Sequence, residues 1–493
     1  MNFRQQVASG AAWVGASTIV VKMLSFITIT LVLARVLEPA DFGLVSIAWL
    51  AINALDFLRE LGIASALIYR QQDEDGLAAD VAYIALGISS IIIYAALFLL
   101  APAIEGFFHD AAGVTSVLRV LALTTLINAI GQVPFTLLAK DLAFRNRAIP
   151  EIIGGAANSL LAIALALGGY GVWALVAGYL ADALARNLLV WFFTAWRPRW
   201  RFDTRVWREM FAYGRHIVSS RLLIFGITNI DDLLVGRVLG TTPLGYYTLA
   251  YRISNVPATH VTRFFNNILF PAFSKLQDEP ERLRRAFFYA IHSVGLVTIP
   301  LAVGVLALGP NFVHNYYLGK WDDAIVAMQW LAVYGLMRSV AAVVGNMYRS
   351  LGKPQWLTYL ALWRFITMAV LLYPAIRWAG IVGVSVLSAV VAVVDFGIAA
   401  WLSERLLQGG YREYLRHLGP TLVLASVSAL VAYLVLPLIP APHRLLPFLV
   451  AGTIMVGLYA LGSWWTDPVF RQVVLGALKR LGPAARLVAR LGA

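Results

Sequence analysis

Hydrophobic and polar positions alternate along this chain on the scale of whole helices. Apolar runs of about twenty residues recur from one end to the other, separated by short polar connections. An α-helix needs a run of that length to cross roughly 30 Å of hydrocarbon. The pattern predicts an all-α polytopic membrane protein of about fourteen transmembrane helices, at 9–34, 41–65, 80–101, 116–138, 149–168, 171–194, 214–236, 243–270, 286–308, 324–348, 355–376, 379–402, 418–438 and 444–464.

Composition supports this assignment. Of the 493 residues, 60% are hydrophobic and only 13% are charged, whereas a soluble domain carries roughly 25% charged residues. The chain has no cysteine, which excludes disulfides and thiolate metal sites. Its seven histidines are scattered, so we expect neither a metal site nor a cofactor.

The basic residues predict the orientation. With the N-terminus inside, the inner loops and tails hold 25 of the 39 Lys and Arg residues, and the outer loops hold five. Because Lys and Arg are retained on the cytoplasmic side, both termini are expected there, and the net charge of +13 largely reflects topology. The stretch 195–210, rich in Trp and Arg, favours anchoring at the lipid surface over nucleic-acid binding.

One sequence segment occurs twice in similar form. "LARVLEPADFGLVSIA" (33–48) and "VGRVLGTTPLGYYTLA" (235–250) agree at five of sixteen positions, including Arg35/Arg237 and Gly43/Gly245. Each copy lies at the outer turn between two helices, and six helices separate them. An even number preserves direction, so the copies are parallel repeats. A weaker match pairs 169–180 with 378–390, near the starts of predicted helices 6 and 12.

The repeats predict two pseudo-symmetric six-helix lobes with two extra helices. Parallel lobes around a central cleft are typical of transporters that alternate access to a midplane site. The predicted parts are an N-lobe at 1–200, a cytoplasmic inter-lobe loop at 201–213, a C-lobe at 214–403, helices 13 and 14 at 404–464, and a cytoplasmic amphipathic tail at 465–493.

Several stretches carry a family resemblance: "RVLEPADFG", "LLAKDLAFRNRA" (137–148), "GYGVWALV", "DDLLVGRVLGTTPLGYYTLAYRI" (231–253) and "LFPAFSKLQDEPERLRRAF" (269–287). Together they resemble the polysaccharide transporter family of Wzx-type flippases and exporters. That family belongs to the multidrug/oligosaccharidyl-lipid/polysaccharide (MOP) superfamily, so the resemblance implies a MOP/MATE-like fold.

The resemblance also implies a function. A protein of this family moves undecaprenyl-diphosphate-linked oligosaccharide from the inner to the outer leaflet of the bacterial inner membrane, for O-antigen, exopolysaccharide or capsule biosynthesis. Its expected partners are that glycan, membrane lipid and the polysaccharide polymerase or export machinery. The resemblance does not identify the sugar.

Ionisable residues inside the predicted helices are the main functional clue. A charge at the bilayer centre costs at least about 2.5–3.5 kcal/mol, so it normally faces a wet cavity or a partner. Helical spacing predicts one polar stripe on helix 1, formed by Thr18, Lys22, Ser25 and Thr28. A second stripe on helix 8 is formed by Arg252, Asn255, Thr259, Arg263 and Asn266.

The cations suit a lipid diphosphate, because guanidinium forks bind phosphate oxygens in pairs and Lys binds them as a point charge. We interpret Lys22, Arg252 and Arg338 as lining the cavity. For three more arginines a cavity-lining role and a structural role stay open: Arg221, Arg263 and Arg364. The side chains available for contact with sugar are Asn255, Asn266, Tyr251 and Tyr334.

Acidic residues allow two interpretations. Asp232, with Asp231, is a candidate for binding a coupling H+ or Na+ close to Arg221, and a fixed internal salt bridge is the alternative. Asp182 and Arg186 are spaced i,i+4 and predict a structural ion pair. The charges near the cytoplasmic end of helix 2 are expected to pair or snorkel: Asp56, Arg59 and Glu60.

Other functions fit less well. An enzyme would need a sizeable loop with catalytic groups, and the longest outer connections are about fifteen residues with no recognised catalytic motif. A cation-coupled multidrug antiporter of the same superfamily would favour an acidic cavity. A lipid II-type flippase also handles a lipid diphosphate, so charge alone leaves that alternative open.

Overall fold

The computed structural model describes residues 3–70, 75–255, 262–407, 411–439 and 444–480. All regular secondary structure in these ranges is helical. The chain divides into two compact units, Met1–Thr248 and Leu249–Ala493. The expectation of an all-α membrane protein is confirmed.

The first unit contains ten helices and the start of an eleventh within its described residues. A π-helical segment, Ile27–Leu33, joins the first two. The helices are α1 (Phe3–Phe26), α2 (Ala34–Val36), α3 (Pro39–Glu60), α4 (Ile63–Tyr69), α5 (Leu77–Phe107), α6 (Val114–Leu121), α7 (Leu123–Lys140), α8 (Phe144–Leu167), α9 (Val172–Leu189), α10 (Thr204–Leu239) and the first part of α11 (Thr241–Ser254).

The second unit holds the end of α11 and seven further helices within its described residues. The helices are α12 (Thr262–Ser274), α13 (Pro280–Tyr317), α14 (Ile325–Ser350), α15 (Gln355–Leu407), α16 (Tyr411–Val435), α17 (Leu446–Thr466) and α18 (Pro468–Arg480). The predicted cytoplasmic tail begins at the end of α17 and includes α18, and residues 481–493 lie outside the described ranges.

Eleven helices of the described residues are long and apolar enough to cross a membrane. They match predicted helices 1–6, 9, 10, 13 and 14 singly, and predicted helices 11 and 12 lie together in α15. Predicted helix 7 falls in α10. Predicted helix 8 falls in α11 and α12, with residues 256–261 between them outside the described ranges. A count of fourteen crossings therefore stays a prediction.

Each unit has its own apolar core. In the first unit, Leu67 on α4 and Val81 on α5 pack with Met210 on α10. In the second unit, Phe287 on α13 and Tyr348 on α14 are fully buried with residues of α15 and α16. Burial of such side chains within a unit leaves lipid to cover the remaining apolar faces.

The two copies of the repeated segment, 33–48 and 235–250, form a symmetric helix crossing. A Cβ placed on Gly43 of α3 would lie 1.9 Å from the carbonyl oxygen of Thr241, and a Cβ on Gly245 of α11 would lie 1.9 Å from that of Pro39. The Oγ of Ser46 and the Oγ1 of Thr248 are 3.1 Å apart and 202 positions apart in sequence. Pro39 and Thr241 have this same separation, so each copy presents the same atoms to the other, as in a two-fold contact.

Only glycine allows this approach, because any side chain would overlap the opposing backbone. The glycines shared by the two copies are thus required by the crossing. This supports the parallel repeat.

The weaker repeat is also reflected in the backbone. Gly171 precedes α9 with φ 54° and ψ −134°. Gly380 interrupts α15, between the two predicted helices, with φ 57° and ψ −136°. Both conformations have positive φ, which glycine adopts without strain. The same local turn therefore begins the last helix of each predicted six-helix set.

A second break lies between α3 and α4. Leu61 and Gly62 have φ 48° and 66°, and the break packs on α10, where a Cβ on Gly214 would lie 1.9 Å from the carbonyl oxygen of Leu61. The predicted connection at 201–213 is helical from Thr204, where the Asp203 carboxylate accepts hydrogen bonds from the first turn of α10. This part of α10 lies in the first unit.

Candidate substrate-binding site

Arg338 lies near the middle of α14 and is held by two tyrosines. Its Nη1 donates a hydrogen bond to the hydroxyl of Tyr251 at 3.0 Å and a weaker one to that of Tyr334 at 3.5 Å. The guanidinium carbon is also 5.9 Å from the centre of the Tyr334 ring, within range of a cation–π interaction. Neutral groups thus orient the cation, and within the described ranges no acid cancels its charge.

The opposite edge of this guanidinium is free of hydrogen bonds to the described residues. Nε–H and the Nη2 amino group form that edge, and neither has a hydrogen-bond partner among the residues that the structure describes. No carboxylate of the described ranges is among the electrostatic partners of Arg338. Two parallel N–H groups on one edge are the arrangement that binds a phosphate or carboxylate in a bidentate way.

The local fold places Tyr251 beside Arg338. Tyr334 is one helical turn before Arg338 on α14, whereas Tyr251 comes from α11. At Gly335 the two helices touch, because a Cβ there would lie 2.8 Å from the carbonyl oxygen of Ser254. The Ser254 hydroxyl donates to the carbonyl of Met328 at 2.6 Å. The glycine therefore allows the close contact that brings the Tyr251 hydroxyl within reach.

Other predicted cations of the second unit lie in different surroundings. Arg252 is half-buried on α11 and has no hydrogen-bond or ion-pair partner within the described ranges. Asn255, at the end of α11, is buried and contacts Gly335. The side chains of Arg263 and Asn266 on α12 lie outside the described set, and so does residue Thr259.

Arg364 is paired. Its Nη2 donates to a carboxylate oxygen of Asp395, both residues being on the long bent helix α15. The Asp395 side chain is only 5% exposed and that of Arg364 is 37% exposed. Of the two roles left open for Arg364, the structural one agrees with this contact.

Arg221 in the first unit is also paired. Its Nη1 contacts the carboxylate of Glu60, 161 positions away on α3. The adjacent Arg59 donates from Nε to Asp56 Oδ1, one turn earlier on α3, at 2.6 Å. The charges near the end of helix 2 thus pair, as one of the two expectations states. The predicted neighbour of Arg221, Asp232, does not contact it.

The two adjacent acids on α10 differ. The buried Tyr247 hydroxyl donates to Asp231 Oδ2 at 2.7 Å. Asp232 makes no hydrogen bond or ion pair with the residues that the structure describes. Lys22 is exposed on α1. The structure therefore brings Arg338, Tyr251 and Asn255 to one place in the second unit. The other described candidate residues lie elsewhere in their own units.

The predicted Asp182–Arg186 pair interacts through its charges but makes no direct salt-bridge contact. Arg186 Nη2 donates to Asn128 Oδ1 at 3.1 Å, and Asn187 Nδ2 donates to the same oxygen at 2.9 Å. Asp182 instead packs where α8 has Gly154, since a Cβ there would lie 2.5 Å from its Oδ1. The hydrogen bond of Arg186 thus goes to a neighbouring helix, while the acid one turn away interacts with it only through its charge.

Sequence reasoning assigned Tyr251 and Tyr334 to the sugar and missed their role as holders of Arg338. The i,i+4 spacing of Tyr334 and Arg338 was a visible signal, because such residues are neighbours on a helix face. The contribution of Tyr251 had no such signal, since it depends on how α11 packs on α14.

Comparison with known proteins shows the family. The family described as "Polysaccharide biosynthesis protein" matches residues 32–326. The chain is 26% identical over 441 residues to the lipopolysaccharide biosynthesis protein WzxC of Escherichia coli (strain K12), covering 88% of each chain.

Two solved structures show the fold. The lipid II flippase MurJ in an inward closed conformation has a TM-score of 0.66 at 14% identity, covering 92% of this chain and 100% of that one. An inward-facing MATE family multidrug resistance transporter of the MOP superfamily has a TM-score of 0.59 at 18% identity, covering 78% and 96%. The expected MOP/MATE-like fold is confirmed.

Proposed function

The chain belongs to the family of polysaccharide biosynthesis proteins, and from this premise we propose that it is a flippase. It moves an undecaprenyl-diphosphate-linked oligosaccharide from the inner to the outer leaflet of the bacterial inner membrane, for surface polysaccharide biosynthesis. The similarity to WzxC supports the polysaccharide assignment. The fold shared with a lipid II flippase supports movement of a lipid-linked substrate.

The observation that carries the proposal is the Nε–Nη2 edge of Arg338. A lipid diphosphate carries about two negative charges on oxygens that can accept paired N–H groups. Among the residues that the structure describes, no carboxylate cancels the charge of Arg338. Such an arginine is costly in a membrane, and a functional role explains why it is present. The same cation disfavours an organic cation as substrate, which argues against the multidrug antiporter alternative.

We extend this proposal to the transport mechanism and to the other residues that take part in it. Transport proceeds by alternating access, with both termini in the cytoplasm and Lys22 and Arg252 as further contacts for the diphosphate. Asp232, with Asp231, is the candidate for binding a coupling H+ or Na+. Arg221 and Arg364, which are ion-paired, stabilise the helices. No cofactor is needed, because moving a lipid between leaflets makes and breaks no covalent bond.

Deleting the gene tests the function. We expect loss of one surface polysaccharide and accumulation of its undecaprenyl-diphosphate-linked oligosaccharide in the inner leaflet. The wild-type gene should reverse both effects. Arg338→Gln should reverse neither effect. Arg377→Gln, at an exposed arginine on α15, serves as the matched control and should reverse both. Accumulation of lipid II with unchanged surface polysaccharide would instead identify a lipid II flippase.

A further inference from the structure

A cavity lies beside the break between α3 and α4, where α4 packs against the start of α10. Its volume is about 360 Å³, within the range of small-molecule sites. The lining residues are Ala66, Tyr69, Arg70, Glu209, Met210 and Tyr213. The ion-paired α3 residues and the arginine of the proposed substrate site are not among them.

Two tyrosine rings form one wall. Tyr69 and Tyr213 stack with centroids 4.9 Å apart and an angle of 16° between the rings. Tyr69 is 71% exposed and Tyr213 is 41% exposed, so the rings are not needed to fill a core. An exposed aromatic pair offers a flat apolar surface whose hydroxyls both donate and accept hydrogen bonds.

The polar wall carries both signs of charge. Arg70 Nη1 lies 3.1 Å from Glu209 Oε2. The second oxygen of Glu209 lies 3.3 Å from Arg205 Nε. A free anion in the cavity would meet Glu209, and a free cation would meet Arg70. This wall therefore favours a neutral ligand that has many donors and acceptors.

The cavity has a rigid frame. The Gly62–Gly214 contact brings α4 against α10, and Lys140 Nζ donates to the carbonyl of Arg70 at 2.6 Å. Met210, which also lines the cavity, is buried. Since these contacts set the distance between the tyrosines and the ion pair, the cavity is formed before any ligand binds.

We propose that this cavity binds a neutral sugar ring of the lipid-linked glycan. A pyranose has an apolar C–H face, which packs on the Tyr69–Tyr213 wall. It also has a rim of hydroxyls, which hydrogen-bond to Arg70 and Glu209. The assignment rests on the proposed function, under which the predicted topology puts this cavity on the cytoplasmic side, where the substrate is loaded. The sugar is thus recognised apart from the diphosphate.

The test uses the full-length protein in lipid nanodiscs. The probes are the methyl glycosides of glucose, galactose, mannose and N-acetylglucosamine, followed by saturation-transfer NMR, with pyrophosphate as a competitor. We expect signal on the ring protons of at least one glycoside. Tyr69→Ala and Tyr213→Ala should reduce it about fivefold, the size of one aromatic contact. Pyrophosphate should not compete.

Two variants keep the result interpretable. Tyr69→Phe keeps the ring and should stay within about twofold of wild type, whereas Tyr69→Leu keeps apolar bulk without the ring and should behave as the Ala variant does. Tyr359→Ala, at a tyrosine 66% exposed on α15, is the matched control and should change nothing. No glycoside signal, a signal that survives both Ala variants, or displacement by pyrophosphate would overturn the proposal.

Failure here is distinguishable from failure of the proposed function. Gene deletion without accumulation of a lipid-linked glycan would remove the flippase assignment while glycoside binding could still be measured. Conversely, accumulation on deletion, combined with full complementation by Tyr69→Ala and no glycoside binding, would remove only the sugar cavity.

Discussion

Arg338 and Arg364 are both arginines near the middles of predicted spanning segments in the second unit, and their positions in the sequence look alike. Their surroundings are opposite. Arg364 is paired with the buried carboxylate of Asp395, whereas Arg338 is held by two neutral hydroxyls and keeps one edge clear of the described residues. Of the two, the cation that no acid of the described residues neutralises is better placed to bind an anionic ligand.

This difference changes what each residue contributes. In an ion pair, each charge removes much of the desolvation cost of the other, so loss of one partner leaves the other uncompensated. A cation held by hydroxyls keeps its cost, which an anionic ligand would lower on binding. Loss of Arg364 should thus appear in stability, and loss of Arg338 in transport.

The largest effect is expected at the paired arginine. Arg364→Met leaves Asp395 buried without its partner and should destabilise the protein by about 3–5 kcal/mol. Asp395→Asn should cost less, because Arg364 is 37% exposed and can reorient. The double variant should recover most of the loss. Apparent melting temperatures of the purified proteins in detergent measure all three, and a double variant no better than Arg364→Met would contradict the pairing.

The next effect concerns transport. Arg338→Gln should lower export of the surface polysaccharide by roughly 10- to 150-fold, the loss expected for a hydrogen bond to a charged group worth about 1.5–3 kcal/mol. Arg338→Lys should restore part of it, since the charge remains while the bidentate edge is lost. Membrane abundance and melting temperature should match wild type. Export unchanged by Arg338→Gln would end the role of this site.

The smallest effect concerns the tyrosines that orient Arg338. Tyr251→Phe removes a hydrogen bond of 3.0 Å and should reduce export about fivefold, as expected for roughly 1 kcal/mol. Tyr334→Phe removes a bond of 3.5 Å and keeps the ring, so its effect should be smaller. The same export assay compares them. Equal losses from both would show that the hydroxyl geometry does not control the arginine.

The glycines and the charges were predictable to different degrees. The importance of Gly43 and Gly245 was predictable, since both are shared positions of the repeated segment. A contact that tolerates no side chain requires glycine in both copies. Gly171 and Gly380 lay within the weaker match for the same kind of reason. A backbone requirement of this type restricts a single position to glycine, so it can be recognised in the sequence of one chain.

Apolar run length alone determined that the chain is helical and membrane-spanning, because twenty successive residues decide whether a helix can cross hydrocarbon. The partner of each charge was decided only by tertiary structure. Arg221 meets Glu60 from 161 positions away, and Arg364 meets Asp395 across 31. Arg186 donates its hydrogen bond to Asn128 on another helix and not to the acid one turn away. Such choices depend on the rotation and depth at which helices pack, and helical periodicity specifies a face without specifying what that face meets.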